Sequence, residues 1–260
     1  MLKMPNENLL VERMQAGETC IGAWLLSGSS DIAEVMAVAG FDFLIVDHEH
    51  GQATLADAAN QIRAIKQADC QVIFRISCNS PVEIKRILDL APDGILVPNI
   101  ESAEAARQVV RACRYPPEGS RGAFLGMRAT SYGLDLNYYS GSFDRLLVAV
   151  QIESSGGIDA MPEIGGVEGV DVLFIGPRDL SASLGVLNQF EDCDFRKTLA
   201  RAESGIPKTG KVMGSILTPN RTVGEMSATG HRLVVVGSDF SLLAGAAKIA
   251  ASRGTQQRAD

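Results

Sequence analysis

Four ionisable side chains follow one another in Asp47-His48-Glu49-His50, closed by Gly51, directly after the apolar stretch 43–46. If that stretch is a buried parallel strand, these groups stand at its C-terminal end, where barrel enzymes carry their chemistry. His48 and His50 would share one side of a continued strand, so an HxH metal pair, acid/base work and a solvated turn are all open readings. Three further polar sites follow other apolar runs. Arg75 interrupts Val72-Ile73-Phe74 near its end, Gln151 and Glu153 close the run 146–152, and Asp179 follows Phe174-Ile175-Gly176-Pro177. Each alone could be a structural ion pair. Jointly they aim a His, an Arg and two carboxylates at one mouth, and two carboxylates with positions left open suit a hard cation such as magnesium or manganese. The seven lysines (Lys3, Lys66, Lys85, Lys197, Lys208, Lys211 and Lys248) all fall away from the expected strand ends. A Schiff base therefore lacks a nucleophile, and metal-assisted stabilisation of an enolate is the economical alternative.

Positioning these groups requires strands, and short apolar runs at 21–25, 43–46, 71–76, 94–97, 146–152, 172–175, 212–217 and 233–236 supply eight. Most are continuous rather than alternating, as in parallel strands buried on both faces. Helical patterns at 31–39, 55–67, 81–90 and 102–113 lie between them, with Gly40 placed as a C-cap and Pro81 in a first turn. Count and length match a (β/α)8 TIM barrel, with a doubly wound sheet as the competing layout. The Gly- and Tyr-rich stretch 115–144 reads as a long loop over one barrel end, a lid candidate. Gly205 and Pro207 interrupt 195–211, predicting a short or kinked helix there. Residues 205–211 have GxxxxGK spacing, but they precede a strand and lack the following Ser or Thr, so they read as a helix-terminating turn.

The chain of 260 residues carries 24 Lys and Arg against 31 Asp and Glu, a net charge of −7, with 46% hydrophobic and 21% charged residues. That composition predicts one folded domain over 1–260 and excludes a disordered chain. It offers no basic footprint for nucleic acid and no apolar run long enough to span a bilayer. Residues 1–17 lack the apolar core of a secretory signal, and five widely spaced cysteines read as reduced core thiols, so a cytoplasmic location is expected.

Several segments together resemble the HpcH/HpaI family of metal-dependent, pyruvate-specific aldolases. They are Phe41-Asp-Phe-Leu-Ile-Val-Asp-His-Glu-His-Gly51, Phe74-Arg75-Ile76, Leu96-Val-Pro98, Arg114-Tyr-Pro-Pro117, Ser120-Arg-Gly122, Val150-Gln-Ile-Glu153 and Phe174-Ile-Gly-Pro-Arg-Asp-Leu-Ser-Ala182. The resemblance runs in register from about residue 22 to 247. It implies a barrel of the phosphoenolpyruvate/pyruvate-binding type that cleaves a 4-hydroxy-2-oxo acid reversibly to pyruvate and an aldehyde. It further implies a homohexamer, a trimer of dimers exchanging C-terminal helices. Position by position it implies that Glu153 and Asp179 hold a divalent ion (magnesium, manganese or cobalt) and that His50 is the base. Arg75 would stabilise the enolate rather than serve a structural pair, Asp47 would belong to the catalytic group, and Asp89 would raise the basicity of the histidine. Gln151 and the backbone at Arg178 and Asp179 would contact substrate. Arg178 departs from the small residue often found there, and the role of His48 is open.

Two other functions compete. An acyl-CoA ester lyase of the malyl- or citryl-CoA type would need a basic strip, for which Arg107, Arg111 and Arg114 are the candidates. A non-catalytic barrel subunit would not need the complete set of ligand and base positions.

Overall fold

The computed structural model describes residues 9–256; residues 1–8, with Lys3, and 257–260 lie outside the described residues. Eight parallel strands close into a barrel in sequence order. They are β1 (Cys20–Leu25), β2 (Phe43–Asp47), β3 (Gln71–Arg75), β4 (Gly94–Val97), β5 (Leu147–Ile152), β6 (Val172–Ile175), β7 (Val212–Ile216) and β8 (His231–Ser238). All eight expected strands form, within a few residues of their expected ends.

Eleven α-helices are described: α1 (Leu9–Gln15), α2 (Ser30–Val38), α3 (Leu55–Ile65), α4 (Pro81–Leu88), α5 (Ala103–Cys113), α6 (Ser155–Asp159), α7 (Met161–Gly165), α8 (Pro177–Ser183), α9 (Cys193–Gly205), α10 (Val223–Ala228) and α11 (Asp239–Gln256). Local chemistry sets their starts. Thr54 and Asp57 form a capping box on α3, Ser80 caps α4 with Pro81 in the first turn, and Ser102 caps α5.

Period-two geometry explains how the core becomes a site. Phe43 and Ile45 point into the barrel, and the next inward position on β2 is Asp47. Ile73 leads likewise to Arg75 on β3, and Leu147 and Ala149 lead to Gln151 on β5. Each apolar column thus ends in a polar group at the C-terminal mouth. The opposite strand faces pack under the helices, as with Val46, Phe74, Val148 and Ile175.

Three expectations change. The helix placed within 195–211 is neither short nor kinked in its body: α9 runs 13 residues to Gly205, and Pro207 opens a separate 3-10 turn, Ile206–Thr209. Pro207 falls where the α-helix has already ended, so it breaks no helical hydrogen bond. The stretch 115–144 is a long loop with one 3-10 segment, Arg128–Gly133, but it is not a lid over its own mouth. It joins the C-terminal end of α5 to the start of β5, and the Ala129 N–H donates to the Asp89 carbonyl beside the start of β4. That is the N-terminal end of the barrel. Of the five free cysteines, Cys20, Cys70 and Cys113 are buried as expected, whereas Cys78 and Cys193 are exposed.

His231 opens β8 with no exposed surface; its Nδ1 lies 3.1 Å from the Met226 carbonyl, and Nε2 lies 3.8 Å from Glu203 Oε1. Burial is the main force that lowers its pKa from 6.5 to about 4. On acidification the unfolded chain gains this proton first, so stability present above pH 6.5 is lost as pH falls toward 4, by about 3 kcal/mol in all. His231→Gln should therefore flatten the fall of Tm between pH 6.5 and 4.5, measured by circular dichroism. Equal pH slopes in the two proteins would exclude this role.

Candidate active site

Asp47 and Arg75 are register partners on adjacent strands and form a bidentate pair. Arg75 Nε donates to Asp47 Oδ1 at 2.8 Å, and Nη2 donates to Oδ2 at 2.6 Å. Both are buried, at 0% and 6% exposure. Arg75 Nη1 lies 2.7 Å from Glu49 Oε2, and the guanidinium stacks 4.0 Å above the ring of Trp24 on β1. Arg75 is therefore held by a structural pair, contrary to the expectation that its charge is reserved for substrate. Asp47 Oδ1 also accepts the N–H groups of Glu49 (2.9 Å) and His50 (3.4 Å), so this carboxylate shapes the turn carrying the histidine. Gly51 completes the turn, because a Cβ there would stand 2.0 Å from the Asp47 carbonyl oxygen.

The two histidines diverge. His50 is exposed and lines a cavity of about 660 Å³ at the mouth, shared with Asp47, Arg75, Gln151, Arg178 and Asp179. His48 instead packs edge-on against Phe74, with ring centroids 4.5 Å apart, and desolvation lowers its pKa. The HxH pair thus does not form a common ligand face, because Asp47 bends the chain out of strand geometry after β2.

Glu153 follows β5 and is buried. Its Oε1 accepts the Asn99 N–H at 2.9 Å, and its Oε2 accepts from Gln151 Nε2. Burial, with Asp179 and Glu49 adding negative potential, pushes its pKa up to about 7. Asp179 sits in the first turn of α8, which follows Gly176 at the end of β6. A Cβ at Gly176 would stand 2.6 Å from Glu153 Oε2, so only glycine leaves this cradle open. Gln151 Oε1 is buried without a hydrogen-bond partner. Hard oxygen donors, an orphaned amide oxygen and excess negative charge fit a divalent cation. Among the described residues no three His, Cys, Asp or Glu side chains converge as a complete shell, so protein would supply two carboxylates and leave positions for water and substrate.

Asp89 is not brought to this mouth in its own chain. It caps the C-terminal end of α4, at the opposite end of the barrel, where Arg121 Nη2 donates to it at 3.1 Å. Sequence reasoning also missed Glu49 and Trp24 as the groups enclosing Arg75; the signal was the lone tryptophan, two positions beyond Gly22 on the inward face of β1.

Comparisons with known proteins agree with the barrel fold. The HpcH/HpaI aldolase/citrate lyase family profile matches residues 20–246. The chain is 36% identical over 250 residues to a hydroxypyruvate/pyruvate aldolase of Roseobacter denitrificans, covering 96% of this chain and 98% of that one. It is 37% identical over 248 residues to an Escherichia coli 4-hydroxy-2-oxo-heptane-1,7-dioate aldolase, covering 95% of each. A crystal structure of an HpcH/HpaI aldolase/citrate lyase family protein from Burkholderia cenocepacia superposes with a TM-score of 0.92 at 32% identity, covering 95% of this chain and 99% of that one. With the eight-stranded barrel formed and the family profile covering nearly all of it, the chain belongs to the HpcH/HpaI aldolase/citrate lyase family.

Proposed function

We propose that this enzyme catalyses the reversible aldol cleavage of a 4-hydroxy-2-oxo acid to pyruvate and an aldehyde, and that it uses a divalent metal ion. The observation that carries the reading is the gathering of His50, the Asp47-bound Arg75, Gln151 and Asp179 around one cavity, with Glu153 beside them. Glu153 and Asp179 would hold the ion, which when bound supplies Lewis acidity toward the 2-oxo group.

In the cleavage direction His50 takes the C4 hydroxyl proton on an imidazole nitrogen. The C3–C4 bond breaks, its electron pair moves onto the C2 oxygen as an enolate, and the aldehyde leaves. Arg75, fixed by Asp47, Glu49 and Trp24, presents positive charge without reorganising as that charge develops. Protonation at C3 then yields pyruvate. Gln151 and the backbone at Arg178 and Asp179 orient the 2-oxo acid.

Homohexamer formation is part of this proposal. Phe240, Leu242, Leu243 and Ile249 of α11 are exposed, Leu243 by 60%, which supports exchange of this helix with a second copy. Any influence of Asp89 on His50 would be exerted across such an interface. No helix among the described residues is long and apolar enough to cross a membrane. An acyl-CoA lyase is disfavoured because Arg107 pairs with Glu104, and Arg114 stacks on Phe143 at the end of α5 away from the mouth.

Chelation should abolish activity, and magnesium, manganese or cobalt should restore it in a coupled pyruvate assay. Covalent inactivation by borohydride with pyruvate, with EDTA inert, would refute the metal reading. His50→Ala should nearly eliminate retro-aldol cleavage yet spare much of the decarboxylation of oxaloacetate, which removes no hydroxyl proton; His48→Ala should affect neither strongly. Both rates are measured at saturating manganese, and a damaging His48→Ala would reverse the assignment. Arg75→Ala should lower stability by about 3–5 kcal/mol, because Asp47 is left buried and unpaired. Arg75→Lys keeps one charge but loses the fork, and turnover should still fall about 100- to 1000-fold. Full turnover in the lysine variant, followed alongside denaturant unfolding, would make Arg75 purely structural.

A further inference from the structure

Arg178 is an exposed cation at the mouth that makes no ion pair among the described residues. It stands one residue before Asp179 in the first turn of α8 and lines both the catalytic cavity and an adjoining groove of about 640 Å³. Its Nε donates to Asn188 Oδ1 at 3.1 Å, and among the described residues no carboxylate lies within ion-pair distance of its guanidinium. Arg75, the other arginine lining the cavity, is by contrast ion-paired with Asp47 and Glu49.

The arrangement around Arg178 is anchored at both ends. Ser181 Oγ donates to the Arg178 carbonyl at 2.6 Å and accepts the Asn188 N–H at 3.0 Å. Asn188 has φ +61°, a left-handed conformation that asparagine tolerates, and this turns its amide toward Arg178. Asn188 lines the outer groove and not the catalytic cavity, so the anchor draws the guanidinium toward the rim, away from the floor formed by Arg75 and Gln151. The carboxylates of that rim are already engaged. Glu191 accepts from Asn220 Nδ2 at 2.8 Å, and Asp192 caps α9 through the N–H groups of Asp194 and Phe195.

We propose that Arg178 is a specificity-determining residue that binds an anionic group at the far end of the aldehyde half of the substrate, so that the enzyme favours aldehydes ending in a carboxylate. This inference rests on the aldolase reading above. Only Nε is committed to Asn188, which leaves Nη1 and Nη2 to donate together to a carboxylate. On the aldolase reading the 2-oxo acid end would lie against Glu153 and Asp179, and Arg178 lines both that cavity and the groove that adjoins it.

The test is aldol addition of pyruvate to 4-oxobutanoate and to butanal, which share a four-carbon chain and differ in the terminal carboxylate. The native enzyme should favour 4-oxobutanoate about 10- to 100-fold in kcat/KM, the worth of a charge-assisted hydrogen bond at a partly solvated site. Arg178→Gln should bring that ratio close to 1, Arg178→Lys should keep part of it, and Asn188→Gly, which preserves the left-handed backbone, should reduce it. A native ratio near 1, or a ratio that survives Arg178→Gln, overturns the proposal. A rise in the KM for pyruvate with the ratio unchanged also overturns it, by placing the guanidinium on the carboxylate of pyruvate. Failure of the native, metal-supplied enzyme to use either aldehyde would sink the aldolase reading itself, a result distinct from turnover of butanal without preference.

Discussion

The Asp47–Arg75 pair is the constraint on which the mouth of this barrel depends. Strand register puts the two residues opposite one another, and the barrel interior removes both from water. Desolvating two charges is costly, and the cost is offset only when every donor and lone pair is used. Here the pair is bidentate, Glu49 and Trp24 hold the guanidinium from two further sides while it still lines the cavity, and Asp47 accepts the N–H groups that shape the following turn. One carboxylate therefore positions the Arg75 guanidinium and the His50 turn together.

Electrostatics at the mouth is deliberately unbalanced. Asp47, Glu49, Glu153 and Asp179 bring four carboxylates near one another, and Arg75 answers only two of them. Glu153 is buried beside the Gly176 cradle, and burial above all, with a smaller push from Asp179 and Glu49, raises its pKa to about 7. A divalent ion would relieve that repulsion, whereas the guanidinium of Arg178 is tied to Asn188 in the adjoining groove.

Chain direction divides the molecule into two ends. Groups that end strands or begin helices share the C-terminal mouth, and groups that end helices or begin strands share the other. Asp89, Arg121 and the loop after α5 belong to the second group, where Arg121 is buried against Tyr115 and Tyr138. Within one chain the barrel itself separates Asp89 from His50.

The eight strands, their buried parallel character and the identity of the mouth were legible in the sequence, because hydrophobic periodicity is local and because each polar group follows its own apolar run. The carboxylates Glu153 and Asp179 were legible for the same reason. What tertiary structure alone decided is which of these groups meet. Spacing left His48 and His50 equivalent; the Asp47 carboxylate bends the turn so that only His50 faces the cavity. Type and position left Arg75 open to either a structural pair or substrate, and register with β2 gives it Asp47 as a partner. The loop at 115–144 was recognisable as a loop, but its placement at the far end follows from the direction of α5, a three-dimensional property that composition does not carry. Gly205 and Pro207 looked like interruptions because propensity sums over a window, whereas the helix stops just before the proline and so avoids its penalty.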